Sequence, residues 1–254
     1  MLKKSVLLLK SQKDEGANDK YEDLLKSNGF KVCQVKTLIF DFKNIDWLKD
    51  KLLNSEKYAG IVFSSPRCVQ AVCLAIEDNR EVMDNWQAKY NYVVGEATYS
   101  EALEKTGLRC KGKEAGNAAN LAKIILQCKD QLEKPLLFPH GNLKTDTLKN
   151  ELGKEGVDIE GVLVYETIPN PGIEAEIKRA TNDFSNIQEY IVFFSPSGVY
   201  SSLKFLKDIK DFSNAKLIAI GPVTENAMLD EKLNIFGVTK NPTPQDVLDL
   251  ILQG

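Results

Sequence analysis

The sequence predicts an α/β protein of two similar parallel-sheet domains with a cleft between them, joined by a two-segment hinge. Three observations carry this prediction. Short apolar runs alternate with amphipathic stretches along all 254 residues, the pattern of strands covered by helices. Several blocks of sequence occur twice in the same order. A further repeated block falls before the others in one copy and after them in the other.

The apolar runs place strands at residues 6–9, 31–35, 60–63, 92–94, 135–138, 161–165, 190–194 and 216–220. Helical i, i+3, i+4 spacing appears at Tyr21, Leu24 and Leu25, at Leu121, Ile124 and Ile125, and at Val247, Leu250 and Ile251. The repeats sit on these elements. Phe63-Ser64-Ser65-Pro66 has its counterpart in Phe194-Ser195-Pro196-Ser197, and Val94-Gly95-Glu96-Ala97-Thr98 in Ile220-Gly221-Pro222-Val223-Thr224. From Gly95 to Asn117 and from Gly221 to Thr243 the step is 22 residues each time, and residues 117–125 answer residues 243–251. The displaced block is Leu7-Leu8-Leu9 with its helix and Asn28-Gly29, matched by Leu136-Leu137-Phe138 with its helix and Glu155-Gly156. The N-terminal block is therefore expected to fold with the C-terminal part. Domain 1 is expected over 1–36 plus 172–254, with domain 2 inserted at 41–165 and linkers at about 37–40 and 166–171.

Composition narrows the function. The net charge of −3 gives no global attraction to nucleic acid or an anionic membrane, so an anion site must be built locally. The apolar run at residues 5–9 is too short for a secretory or membrane-spanning segment, and Lys10 follows at once. Five cysteines without C-x-x-C spacing read as reduced, mostly buried thiols in a cytoplasmic protein. No metal site is expected, and His140 is the sole histidine.

Candidate site residues cluster where strands run into helices. Ser65 and Pro66 suit an N-cap and first helical position, with Ser64 beside them and Arg67 as a carboxylate donor. Ser195, Pro196 and Ser197 repeat the device. Thr243 and Asn117 are further candidate N-caps. Gly95 and Gly221 allow tight turns before Thr98 and Thr224. Helix N-termini at the carboxyl ends of strands are where open α/β sheets bind ligands, anions above all. Asn142 could cap a helix, with Lys144 facing the cleft, and Lys216 stands beside a strand end. Tyr165 reads from its spacing as a packing residue. No G-x-G-x-x-G or P-loop pattern occurs, which disfavours dinucleotide and nucleoside triphosphate binding. The fold alone also suits a non-enzymatic protein that closes around an anionic ligand.

The blocks as a set resemble uroporphyrinogen-III synthases. The resemblance runs through Ile61-Val62-Phe63-Ser64-Ser65-Pro66-Arg67, Tyr92-Val93-Val94-Gly95-Glu96-Ala97-Thr98, Leu137-Phe138-Pro139-His140-Gly141-Asn142-Leu143-Lys144, Val164-Tyr165-Glu166-Thr167, Phe193-Phe194-Ser195-Pro196-Ser197-Gly198, Ala219-Ile220-Gly221-Pro222-Val223-Thr224 and Pro242-Thr243-Pro244. These look closest to the animal form of the enzyme. The resemblance implies a bilobal fold and a hydro-lyase that cyclises hydroxymethylbilane, inverting its last pyrrole ring with loss of water. It implies no cofactor. It also implies substrate-binding roles for Ser64, Ser65, Arg67, Thr98, Asn142, Ser195, Ser197 and Thr224, more weakly for Lys144 and Lys216, and a proton-donor role for Tyr165. A monomer with a small-molecule substrate is expected.

Overall fold

A computed structural model describes residues 4–11, 19–77, 79–143 and 146–254. The chain divides into two compact units, Met1–Ile39 with Ile168–Gly254, and Phe40–Thr167. Each is a five-stranded sheet with helices on both faces.

In the first unit the sheet order is β10-β9-β8-β1-β2, from β1 (Ser5–Lys10), β2 (Lys31–Lys36), β8 (Tyr190–Phe193), β9 (Lys216–Ala219) and β10 (Ile235–Val238). All four pairings are parallel. Alternate residues of each strand point to opposite faces. Leu7, Leu9, Ile191 and Phe193 pack with α7 (Ile173–Ala180), α8 (Pro196–Leu206) and α9 (Pro222–Asp230). Val6, Leu8, Tyr190 and Val192 pack with α1 (Lys20–Ser27) and α10 (Pro244–Leu252). Because both faces are covered, the inner strands β1 and β8 read as apolar runs.

The second unit has the order β3-β7-β6-β4-β5, from β3 (Leu38–Phe42), β4 (Gly60–Phe63), β5 (Tyr92–Val93), β6 (Leu136–Gly141) and β7 (Ile159–Pro169). Ile61, Phe63 and Leu137 face α2 (Ile45–Leu53), α3 (Pro66–Ala75) and α4 (Glu96–Thr106). Val62, Leu136 and Phe138 face α5 (Ala118–Leu126) and α6 (Asp146–Lys154). The run β5-β4-β6-β7 thus has the same order as β9-β8-β1-β2, with three helices on one face and two on the other in both units. Even the outer position is echoed: Lys111 forms a parallel bridge to Tyr92 where β10 pairs with β9.

Each unit has one switch point, where successive crossovers leave in opposite directions. It falls between β1 and β8 in the first and between β6 and β4 in the second. Ligands bind outside the carboxyl ends of the strands at such points. The repeated glycines serve this edge. Gly95 (φ 84°, ψ 165°) and Gly221 (φ 76°, ψ 171°) sit at the N-caps of α4 and α9 in the same conformation, one that only glycine adopts without strain. The chain thereby passes from strand to helix in two residues, leaving the first-turn N–H groups at the edge.

The strands β3 and β10 lie where no strand was expected. Leu38–Phe42 falls largely within the expected first linker, and β7 continues through most of the expected second one. Only Cys68 and Cys110 of the five cysteines are buried; Cys33, Cys73 and Cys128 are half-buried.

Candidate active site

In the second unit the parallel register sets Tyr165 of β7 opposite Gly141, just past an irregularity in β6. Three groups hold its ring. A Cβ added to Gly141 would lie 2.4 Å from Tyr165 Cζ and 2.7 Å from its hydroxyl, so the absent side chain is the space the phenol occupies. Phe40 of β3 meets the ring edge-on at 6.2 Å between centroids. The hydroxyl lies 3.3 Å from Ser65 Oγ. Tyr165 is therefore both a packing residue, as its spacing implied, and a phenol at the carboxyl edge of the sheet.

Ser65 occupies the N-cap of α3 with Pro66 next, but its side chain makes no capping hydrogen bond. Its Oγ and that of Ser64 are each 3.4 Å from Cys68 Sγ. Burial pushes the Cys68 thiol up, which keeps it protonated near neutral pH. The Arg67 guanidinium lies 3.4 Å over the Phe40 ring, a cation–π contact that fixes a positive group next to the tyrosine. The Thr98 hydroxyl donates to the Val94 carbonyl at 3.0 Å, closing the Gly95 turn. Among the described residues, Asn142 Oδ1 accepts the backbone N–H of Thr167 at 3.0 Å. This ties the end of β6 to β7 two residues beyond Tyr165. Lys144 lies outside the described residues.

In the first unit, Ser195 Oγ accepts the Gly198 N–H at 3.2 Å and lies 3.1 Å from Ser197 Oγ, so this serine does cap its helix. Thr224 is buried in the first turn of α9, and among the described residues nothing hydrogen-bonds its hydroxyl. Thr243 and Asn117 both cap their helices. Lys216 is a correction to the sequence reading. It opens β9 opposite Tyr190, at the amino end of the sheet. There it donates to Glu189, the Tyr190 hydroxyl and the Gly254 carbonyl, away from Ser195 and Gly221.

Three contributors escaped the sequence reading. Phe40 fell in an expected linker, although Leu38-Ile39-Phe40-Asp41-Phe42 is an apolar run with a single charge. Gly141 was visible only as part of a motif, and Cys68 only as a core thiol. Among the described residues, no cluster of three His, Cys, Asp or Glu could hold a metal, and no helix is long and apolar enough to cross a membrane.

Comparison with known proteins bears on this arrangement. The family model for uroporphyrinogen-III synthase HemD matches residues 4–249. A uroporphyrinogen-III synthase of Saccharomyces cerevisiae is 28% identical over 264 residues, covering 97% of this chain and 94% of its own length. Among solved structures, uroporphyrinogen-III synthetase from Helicobacter pylori has a TM-score of 0.56 at 15% identity, covering 98% of this chain and 99% of that one. A mutant uroporphyrinogen III synthase from Thermus thermophilus gives 0.53 at 14%, with 98% and 99% covered. At such identities the structures speak for the fold, while the family match spans both units and every described residue gathered around Tyr165. The chain therefore belongs to the uroporphyrinogen-III synthase family, cyclising lyases of tetrapyrrole biosynthesis.

Proposed function

We propose that the substrate is hydroxymethylbilane and that Tyr165 is the proton donor for its activation. The observation that carries this reading is a phenol held at the carboxyl edge of the sheet by Gly141, Phe40 and Ser65. The phenol protonates the terminal hydroxyl of the bilane, the C–O bond breaks, water leaves and an azafulvene cation remains. The last pyrrole attacks through its substituted carbon, giving a spiro intermediate that opens and recloses with that ring inverted. The proton lost as the ring regains aromaticity balances the one Tyr165 gave. Spontaneous closure gives the symmetric isomer, so the chain must select one conformer, which is orientation control. The handles are acetate and propionate groups. In the second unit the first-turn N–H groups of α3 and α4, the Ser64 hydroxyl and Arg67 suit such groups; in the first unit those of α8 and α9, the Ser195 and Ser197 hydroxyls and Thr224 do. In a chain of net charge −3, these local donors must supply the attraction.

Five cysteines without C-x-x-C spacing suit a reducing, cytoplasmic setting. A single chain already carries both copies of the repeated unit, which favours a monomer; light scattering reads this directly. The decisive test supplies fresh hydroxymethylbilane and separates the oxidised products. The wild type is expected to give predominantly type III product faster than the spontaneous reaction. Tyr165→Phe should slow this by about a hundredfold or more. Type I product alone, at the spontaneous rate and from folded protein, rejects the reading.

The paired threonines separate binding from folding. Thr224→Ala, which frees no buried partner, should raise KM about tenfold with little change in thermal midpoint. Thr98→Ala, which orphans the Val94 carbonyl, should cost about 1 kcal/mol of stability. Equal stability losses in both would assign Thr224 to its helix instead.

A further inference from the structure

The internal repeat supplies a control for the environment of Tyr165. Ser65 and Ser195 have nearly the same backbone, φ −161° with ψ 161° and φ −161° with ψ 157°, and each precedes a proline at the start of its helix. Their hydroxyls nevertheless go to different partners. Ser195 Oγ takes the N–H three residues on, that of Gly198, at 3.2 Å. Ser65 Oγ forms no such cap and instead lies 3.3 Å from the Tyr165 hydroxyl. One difference between the two blocks is the residue three positions on, where Cys68 stands in place of Gly198. A Cβ built on Gly198 would come 3.4 Å from Ser195 Oγ, an ordinary contact that leaves the cap in place. In the second unit it is the Cys68 sulfur, fully buried, that lies 3.4 Å from Ser65 Oγ and offers it a different partner. The Cys68 N–H is turned to the Ser65 backbone carbonyl at 3.1 Å.

We propose that Cys68 is a positioning residue for the ring-closing reaction, its thiol diverting the Ser65 hydroxyl from the cap of its own helix onto the Tyr165 phenol. The hydrogen bonds can run in one direction: S–H of Cys68 to Ser65 Oγ, and O–H of Ser65 to the phenol oxygen. That direction places a donor on the phenol oxygen, which carries charge once the proton has gone. Cys68 itself touches no substrate. The inference rests on Tyr165 acting as the proton donor.

A double-mutant cycle on the full chain tests it. Cys68→Ala is expected to lower kcat for type III product about tenfold at unchanged KM, and Cys68→Ser to recover most of the loss. Cys68→Ala should have no further effect in a chain already carrying Tyr165→Phe. A crystal structure of Cys68→Ala should show Ser65 Oγ on the N–H at position 68, as in the first unit. Cys68→Val fills the same space without a hydrogen bond and reads the same cycle should the alanine variant not fold. An equal loss with and without Tyr165→Phe overturns the role of Cys68 and leaves that of Tyr165 standing. So does wild-type kcat in both Cys68→Ala and Cys68→Val beside an impaired Tyr165→Phe. Full turnover in Tyr165→Phe alone overturns the proton-donor reading, and this inference with it.

Discussion

Gly141→Ala is expected to abolish most of the activity while leaving the fold intact. The new Cβ would lie 2.4 Å from Tyr165 Cζ and 2.7 Å from both Cε2 and the hydroxyl. Carbon atoms rest at about 3.5–4.0 Å, so the ring must retreat by about 1 Å or more. The atoms in the way are the far end of a side chain, so the ring yields and the backbone stays. The retreat breaks the 3.3 Å approach to Ser65 and the edge-on contact with Phe40. A misplacement of about 1 Å at a reacting group costs about a hundredfold. The expected result is a hundredfold lower rate of type III formation with a near-wild-type thermal midpoint. Gly141→Ala combined with Tyr165→Phe should be no slower than the worse single variant. Undiminished turnover in folded Gly141→Ala would mean that the phenol need not stand where Gly141 lets it stand.

That glycine shows where the sequence is legible. Strands buried on both faces advertise themselves, and β1, β4 and β8 were expected to within a residue or two because their runs must be apolar throughout. β10 was not, because Ile235-Phe236-Gly237-Val238 is short, holds a glycine and leaves Phe236 exposed. β3 was missed because Thr37-Leu38-Ile39 follows β2 almost without a break, leaving no turn residue to mark a new strand. N-caps were legible as positions but not as hydrogen bonds. Ser65 and Ser195 look alike in sequence, yet one caps and the other does not, since the outcome depends on residue 68 or 198 and on Tyr165 a hundred residues away. Gly141 and Phe40 act through residues brought near by the sheet order, which no local pattern encodes. Lys216 shows the converse error: proximity to a strand does not say which end of the sheet a charge occupies.

The largest stability effect is expected at Lys10. The residue ends β1, and its Nζ donates to Asp19 Oδ2 at 2.7 Å, with side chains only 10% and 7% exposed. The ammonium also lies 4.6 Å from the ring centres of both Tyr21 and Phe194. Asp19 in turn caps α1 through the N–H groups of Tyr21 and Glu22. Lys10→Met keeps the aliphatic stem but leaves a carboxylate in a site that disfavours charge. Breaking a buried pair in this way costs about 3–5 kcal/mol, which for a chain of this size is a fall of about 10 °C in thermal midpoint. The pH dependence separates lost pairing from lost packing. Burial alone would raise the Asp19 carboxyl, but the Lys10 hydrogen bond and charge and the two backbone N–H groups bring it below the ordinary value of 3.8. A depressed carboxyl stabilises the fold above its unfolded pKa, and that stability is lost as pH falls through the lower folded value. Without Lys10 its hydrogen bond and charge are gone, and the Asp19 carboxyl rises from its wild-type value. The gap between wild type and Lys10→Met should therefore be full at neutral pH and narrow as the solution is acidified through the carboxylate range. A gap that stays constant with pH would assign the loss to packing against Tyr21 and Phe194 rather than to the ion pair.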